Sequence, residues 1–362
     1  MSDYSQYQGP STEWETFVEK NPLPPGNFSL PPQTIRQTAN ALRVQISQTE
    51  LTNESLRDLV HWHDHSILTT DTQRILARVY TPSQPSPRAY PVYLYFHGGG
   101  HLLGTIETED AACSRLAAQA NLIVINVNYR HTPEFKHPTQ VNDAWDAFTW
   151  LSRNAGILNA DPTHVIVGGI SAGAGLAASV VLRHHHSMHQ RVVGADSEDS
   201  EATPPLTVIG QLLCIPWLVH PDNYNLPLGS GAGSSYAQNA NAPVLPMALL
   251  RLFTDLLGAG DPSDPELNVG LAGDEAVAGL PKTAFLVAGR DLLRDEGLYY
   301  AETLERNGVP TKVHVFPGLP HGFRRFSALP SSRVWDELLV RNCQWILSDS
   351  QESEFGVVDT SR

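Results

Sequence analysis

Cysteine is scarce in this chain: Cys113, Cys214 and Cys343 are the only three in 362 residues, far apart and without ligand-type spacing. That argues against a disulfide scaffold or a cysteine-rich metal centre, and three reduced, packed thiols are the simplest reading. Basic charge is also short. Twenty-four Lys and Arg face 38 Asp and Glu, a net charge of −14 with no basic stripe, which disfavours nucleic acid as a partner. No apolar run approaches the length of a membrane span. The opening Met1-Ser2-Asp3-Tyr4 leads into no charged segment followed by an apolar core, so a classical signal peptide is not expected. These shortages together predict a cytoplasmic protein. No internal repeat is evident, and a 41% apolar content is enough for one large α/β domain with a cap.

Period-2 and continuous apolar runs alternate with helical patterns along most of the chain. Residues 60–67 and 73–79, separated by Thr69-Thr70-Asp71-Thr72, read as an antiparallel hairpin. Strands are then expected near 92–96, 122–127, 164–168, 206–213, 283–288 and 311–316. Helices are expected near 107–119, 138–153, 172–183, 294–307 and 332–347. This βα order predicts a mostly parallel, doubly wound sheet opened by the hairpin. Residues 1–32 are polar and Pro-rich and read as irregular, with Trp14 and Phe17 anchoring a short amphipathic piece onto the cap. The resulting division is an arm and part of the cap (1–55), a first core segment (56–215), a cap insertion (216–282), a second core segment (283–347) and a polar tail (348–362).

Gly169-Ile170-Ser171-Ala172-Gly173 lies between the expected strand 164–168 and the Ala-rich helix after it. A serine between small residues on a tight strand-to-helix turn is presented as a nucleophile, so Ser171 is the candidate. A hydroxyl needs a general base and a group to orient that base. Asp291 leaves the strand 283–288 and is the candidate acid; Asp295 and Glu296 fall inside the next helical pattern, where they complement the helix dipole. His321 follows the strand 311–316 and is the candidate base, whereas His314 within that strand reads as structural. His97-Gly98-Gly99-Gly100 follows the strand 92–96 and reads as an oxyanion loop, with the amides of Gly98, Gly99 and Ala172 as donors and His97 as a brace.

In this order and approximate spacing, residues 75–347 resemble the hormone-sensitive-lipase-like esterases of the α/β-hydrolase fold. Asp291-Leu292-Leu293-Arg294-Asp295-Glu296-Gly297, His321-Gly322-Phe323 and Tyr129-Arg130-His131-Thr132-Pro133-Glu134 with Pro138 add to the likeness. The resemblance implies a serine esterase acting on a small-molecule ester without a cofactor, as monomer or homodimer, under a cap formed by the N-terminal segment and an insertion after the sixth strand. It also leaves open a biosynthetic-pathway hydrolase, lactonase or acyltransferase, and a non-catalytic receptor. Ile170, Ala174 and Leu292 depart from the family pattern without removing a reacting group.

His101, directly after the glycine run, is a candidate at the pocket mouth, with a backbone-bonded loop residue as the alternative. Trp217, Tyr224, Leu249, Leu252 and Phe253 are candidate substrate contacts, with packing of the cap's own small core as the alternative for each, and 246–257 reads as a cap helix. His184-His185-His186 with His189, followed by an acidic stretch at 196–201, matches no standard metal spacing, and no metal is expected there.

Overall fold

A computed structural model of the chain describes residues 3–24, 26–193, 206–224, 228 and 231–361. Two helices, α1 (Thr12–Lys20) and α2 (Pro32–Asn53), precede the hairpin β1 (Val60–Leu68) and β2 (Arg74–Pro82). Alternation follows through β3 (Tyr90–Phe96), α3 (Asp110–Ala120), β4 (Ile123–Asn128), α4 (Thr139–Asn154), β5 (Ala160–Ile170), α5 (Ala172–Val193) and β6 (Val208–Cys214). Between β6 and β7 lie the short α6 (Ser235–Asn239), α7 (Met247–Leu257) and α8 (Asp274–Val277). The chain closes with β7 (Lys282–Arg290), α9 (Arg294–Arg306), β8 (Thr311–Pro320), α10 (Pro330–Leu347) and β9 (Glu354–Val357).

Among the described residues the strands form one sheet in the order β1-β2-β4-β3-β5-β6-β7-β8-β9. β1 and β2 pair antiparallel, as β2 does with β4, and the remaining pairings are parallel. Helices cover both faces, which is why the central strands read as continuous apolar runs rather than as alternation. Val165 and Val167 of β5 face one cluster with α4, α5 and α9, while Ile166 faces the other with α3 and α10. Phe285 and Val287 of β7 divide from Ala284 and Leu286 in the same way. A further apolar cluster brings Leu250 and Phe253 of α7 against Leu102, Ala172, Trp217 and Leu292, with Ile35 and Ala39 of α2 at its margin.

Two sequence expectations are corrected. Trp14 and Phe17 do sit on a short helix, but they pack against Phe326 beside the α10 side of the core, not on the insertion, and Glu13 accepts from Ser331 N at 3.1 Å. The polar tail holds a strand, because β9 adds to β8 in parallel through Glu354 to Val357. Within the expected arm and cap segment, residues 32–53 form a helix of 22 residues.

Candidate active site

β5 ends at Ile170 and α5 begins at Ala172, which isolates Ser171 in the turn with φ +55°. A non-glycine residue in this region costs roughly 1–3 kcal/mol, so the surroundings must hold it. They do so by hydrogen bonds: Ser171 N donates to Cys214 O at 2.8 Å, and Ser171 O accepts from Trp217 N at 3.1 Å and Ala174 N at 3.0 Å. The flanking glycines are required by close approach. A Cβ at 169 would stand 2.4 Å from Phe96 O, and one at 173 only 2.1 Å from the same oxygen. The turn thus packs backbone to backbone on the end of β3.

Asp291 directly follows β7 and His321 directly follows β8, so parallel neighbours deliver both side chains to one sheet edge. His321 Nδ1 lies 2.8 Å from Asp291 Oδ2, and His321 Nε2 lies 3.0 Å from Ser171 Oγ. With Nδ1 protonated toward the carboxylate, Nε2 is the acceptor for the serine hydroxyl. Leu293 N donates to Asp291 Oδ1 at 3.0 Å, and Asn239 Nδ2 donates to Asp291 O at 3.0 Å. Each carboxylate oxygen thus has one partner, the Asn239 bond fixes the backbone beneath, and Asp291 is dry at 1% exposure, whereas Ser171 and His321 keep 8% and 9%. Asp295 and Glu296 are occupied elsewhere. Asp295 accepts from Arg294 Nε at 2.7 Å and Ser235 N at 2.6 Å, and Glu296 accepts from Leu218 N at 2.5 Å.

The glycine loop after β3 lies against this turn. A Cβ on Gly98 would come within 3.3 Å of Ser171 Cβ, and Gly99, at φ +133°, has Leu103 O where a side chain would begin. His97 is fully buried, stacked on Tyr129 at 4.5 Å and on His131 at 5.2 Å, and Tyr129 Oη donates to His97 O at 2.8 Å. Burial pushes His97 below, and His131 well below, the ordinary imidazole range. His97 is thus a packed brace.

Residues of α2 that no sequence motif marks hold this loop. Arg36 Nε donates to Leu102 O at 3.0 Å, Asn40 Oδ1 accepts from Gly104 N at 2.8 Å, and Arg43 Nη1 donates to Gly98 O at 3.4 Å. Spacings of four and three put these residues on one helix face, the only signal that the sequence offered. Gly98 O and Gly99 N belong to one peptide group, so a cationic donor at the oxygen polarises the N–H at the other end.

His101 and Trp217 line a cavity of about 30 Å³ that Ala172 also lines. His101 has φ +59°, and its carbonyl accepts from Thr132 N at 2.9 Å, so its backbone is bonded within the loop while its side chain faces the cavity wall. Burial, with His137 and His97 adding to it, pushes the His101 imidazole down to about 3. Phe253 is outside that lining and presses on Gly100, where a Cβ would meet its ring at 2.1 Å. Tyr224 takes the packing role of its two expected ones. Its ring stacks on Tyr236 at 3.4 Å, and its hydroxyl lies 2.7 Å from Ser235 Oγ and 3.3 Å from Asp295, which packs the insertion onto α9. His137, Gln140 and His220 also line the cavity and carried no motif to mark them.

In the histidine run, His185 Nε2 lies 3.0 Å from Ala278 O and His189 Nδ1 lies 3.0 Å from His185 O, while the acidic stretch 196–201 is outside the described residues. Among the described residues no group of three or more His, Cys, Asp or Glu is arranged to hold a metal ion, and no helix is long and apolar enough to cross a membrane.

Comparison with known proteins places this geometry. The family described as the α/β-hydrolase fold matches residues 93–325. Esterase LipI of Mycobacterium tuberculosis is 35% identical over 248 residues, 68% of this chain and 70% of its own. Among solved structures, an esterase of Pyrobaculum calidifontis is 26% identical with a TM-score of 0.74, over 94% of this chain and 99% of its own. Vibralactone cyclase is 25% identical with a TM-score of 0.81, over 94% and 96%. Sheet order, serine turn and extended similarity agree, and the chain belongs to the hormone-sensitive-lipase-like esterase family of the α/β-hydrolase fold.

Proposed function

We propose that this chain is a serine carboxylesterase that hydrolyses small to medium carboxylic esters through an acyl-enzyme. The observation that carries the reading is the His321 ring, which lies within hydrogen-bond reach of the Ser171 hydroxyl on one side and the Asp291 carboxylate on the other. Ser171 Oγ attacks the ester carbonyl as its proton passes to His321 Nε2, and Asp291 stabilises the resulting imidazolium. The carbonyl oxygen, now negative, is received by the amides of Gly98, Gly99 and Ala172. Collapse breaks the bond to the alkoxy group, which leaves as the alcohol with the proton from His321. Water then attacks the acyl carbon, giving its proton to Nε2, and the acid departs as Ser171 is regenerated.

In this reading α2 and the 216–282 insertion form the cap, since Ile35, Ala39, Leu250 and Phe253 gather over Ala172 and the glycine loop. The setting is cytoplasmic, in keeping with three buried, unpaired cysteines. An active-site-directed fluorophosphonate tests the mechanism. It is expected to label the folded chain once, on the peptide containing Ser171, and to leave Ser171→Ala unlabelled; labelling elsewhere, or none, overturns it.

The likeness to vibralactone cyclase favours a second reading, in which an internal or external hydroxyl replaces water as the acyl acceptor. Product analysis with and without added alcohols separates the two, because hydrolysis yields free acid at all alcohol concentrations.

A further inference from the structure

The cavity that touches Ala172 is built unusually for an apolar ester chain. Its wall includes His101, His137, Gln140, His220 and Glu266 together with Ala172, the residue after the serine. Three of these side chains carry buried polar atoms without a hydrogen-bond partner among the described residues: His101 Nδ1, His137 Nδ1 and Gln140 Oε1. His101 is 6% exposed and Gln140 1% exposed, so bulk water does not serve them. The other nitrogen of His137 is already taken, with Nε2 lying 2.8 Å from Asp264 Oδ2. Buried polar atoms of this kind call for a partner, and an apolar chain entering the cavity would leave them unpaired.

We propose that this cavity receives the acyl group of the substrate and selects a short acyl chain bearing a hydroxyl. The inference rests on the serine-esterase reading of the site. Position supports it: Ala172 supplies a proposed oxyanion amide, and Trp217, also in the wall, donates its backbone N–H to Ser171 O. Ser171 itself is not in the wall; the cavity adjoins the serine turn through Ala172 and Trp217, and that is the side from which an acyl group on Ser171 would enter it.

Size limits the chain. The room open to water-sized groups is about 30 Å³, which suits a short acyl group better than a long one. Chemistry selects the hydroxyl. Gln140 Oε1 can only accept, and a neutral imidazole Nδ1 donates or accepts according to tautomer, so a group that does both satisfies the pair. A carboxylate does not fit. Burial holds His101 and His220 below the ordinary imidazole range, and the Glu266 carboxyl already stands in the wall.

The test is kcat/KM for the p-nitrophenyl esters of butanoate, 3-hydroxybutanoate and octanoate, each divided by its alkaline hydrolysis rate to remove intrinsic reactivity. The wild-type chain is expected to prefer 3-hydroxybutanoate over butanoate by about tenfold and butanoate over octanoate by more. Gln140→Leu is expected to abolish the first preference, and His137→Phe to reduce it. A wild-type chain that treats the hydroxylated and plain esters alike, or that accepts octanoate as readily as butanoate, overturns the proposal whether or not the variants fold. Variants that fold and keep the wild-type preference overturn it too. Failure of fluorophosphonate to label Ser171 is the separate signature of failure of the esterase reading itself.

Discussion

Single side chains carry the sharpest expectations, because His321 has one partner on each ring nitrogen. Asp291→Asn is expected to lower kcat by roughly 10³–10⁴-fold, since an amide favours the wrong tautomer of the base. Steady-state kinetics on a short-chain p-nitrophenyl ester, corrected for folded protein, measures it. Asp295→Asn breaks a buried contact with Arg294 and Ser235, so its expected effect is a lower melting temperature, with kcat per folded molecule within about tenfold of wild type. A reversed pattern between these two acids would reassign the orienting carboxylate. Much of this scale was legible in the sequence. Ser171, Asp291 and His321 stand at strand exits that periodicity alone could place, and the fold brings them within hydrogen-bond reach. Which of its two roles Tyr224 takes was not legible, because an aromatic residue in an irregular insertion gives no indication of which neighbour it will stack on.

Among the elements, α2 shows why sequence patterning reveals some segments and hides others. β5 and β7 were plain because both faces are buried and their apolar runs are dense. In α2 only Ser47 and Leu51 are buried, and the face turned to the core works through Arg36, Asn40, Arg43 and Glu50, so no apolar stripe betrays it. β9 was hidden for a related reason. Its four residues at the sheet edge leave Phe355 and Val357 exposed, with too few positions for alternation to register. The polar face of α2 also has a kinetic consequence under the proposed mechanism. Arg43→Leu removes the donor at Gly98 O and weakens polarisation of the Gly99 N–H, so kcat is expected to fall by about tenfold with little change in KM. Arg43→Lys should restore part of the loss. A change confined to KM would show that Arg43 acts on binding rather than on the loop.

At the scale of the whole molecule, buried ionisable groups set the response to acid. His101 is pushed down to about 3, so below the ordinary imidazole range, near 6.5, the unfolded chain takes up this proton and the folded chain does not. The stability associated with neutral His101 is therefore full above about pH 6.5 and is lost progressively as pH falls toward 3. His101→Asn, which tolerates the positive φ, should lose less melting temperature than wild type between pH 6.5 and 4; equal losses would refute this. Glu50 responds at lower pH. Burial raises it, but the hydrogen bonds and charges of Arg324 and Arg115 outweigh burial and hold it at about 2. Its contribution is present above about pH 4.5 and fades as pH falls toward 2, a decline that Glu50→Gln should lack in pH-dependent unfolding.

Glu50 gives α2 a second role, since the helix that reaches Gly98 through Arg43 is tied at its far end to Arg115 of α3 and to Arg324. It works as a strut set between the glycine loop and the α3 side of the sheet. Releasing both ends together, with Arg43→Leu and Glu50→Gln, would leave the sheet's own strands intact, so strand circular dichroism should persist while covalent capture of Ser171 slows. Readiness for catalysis would then arrive in folding only when α2 docks onto the part of the chain made after it.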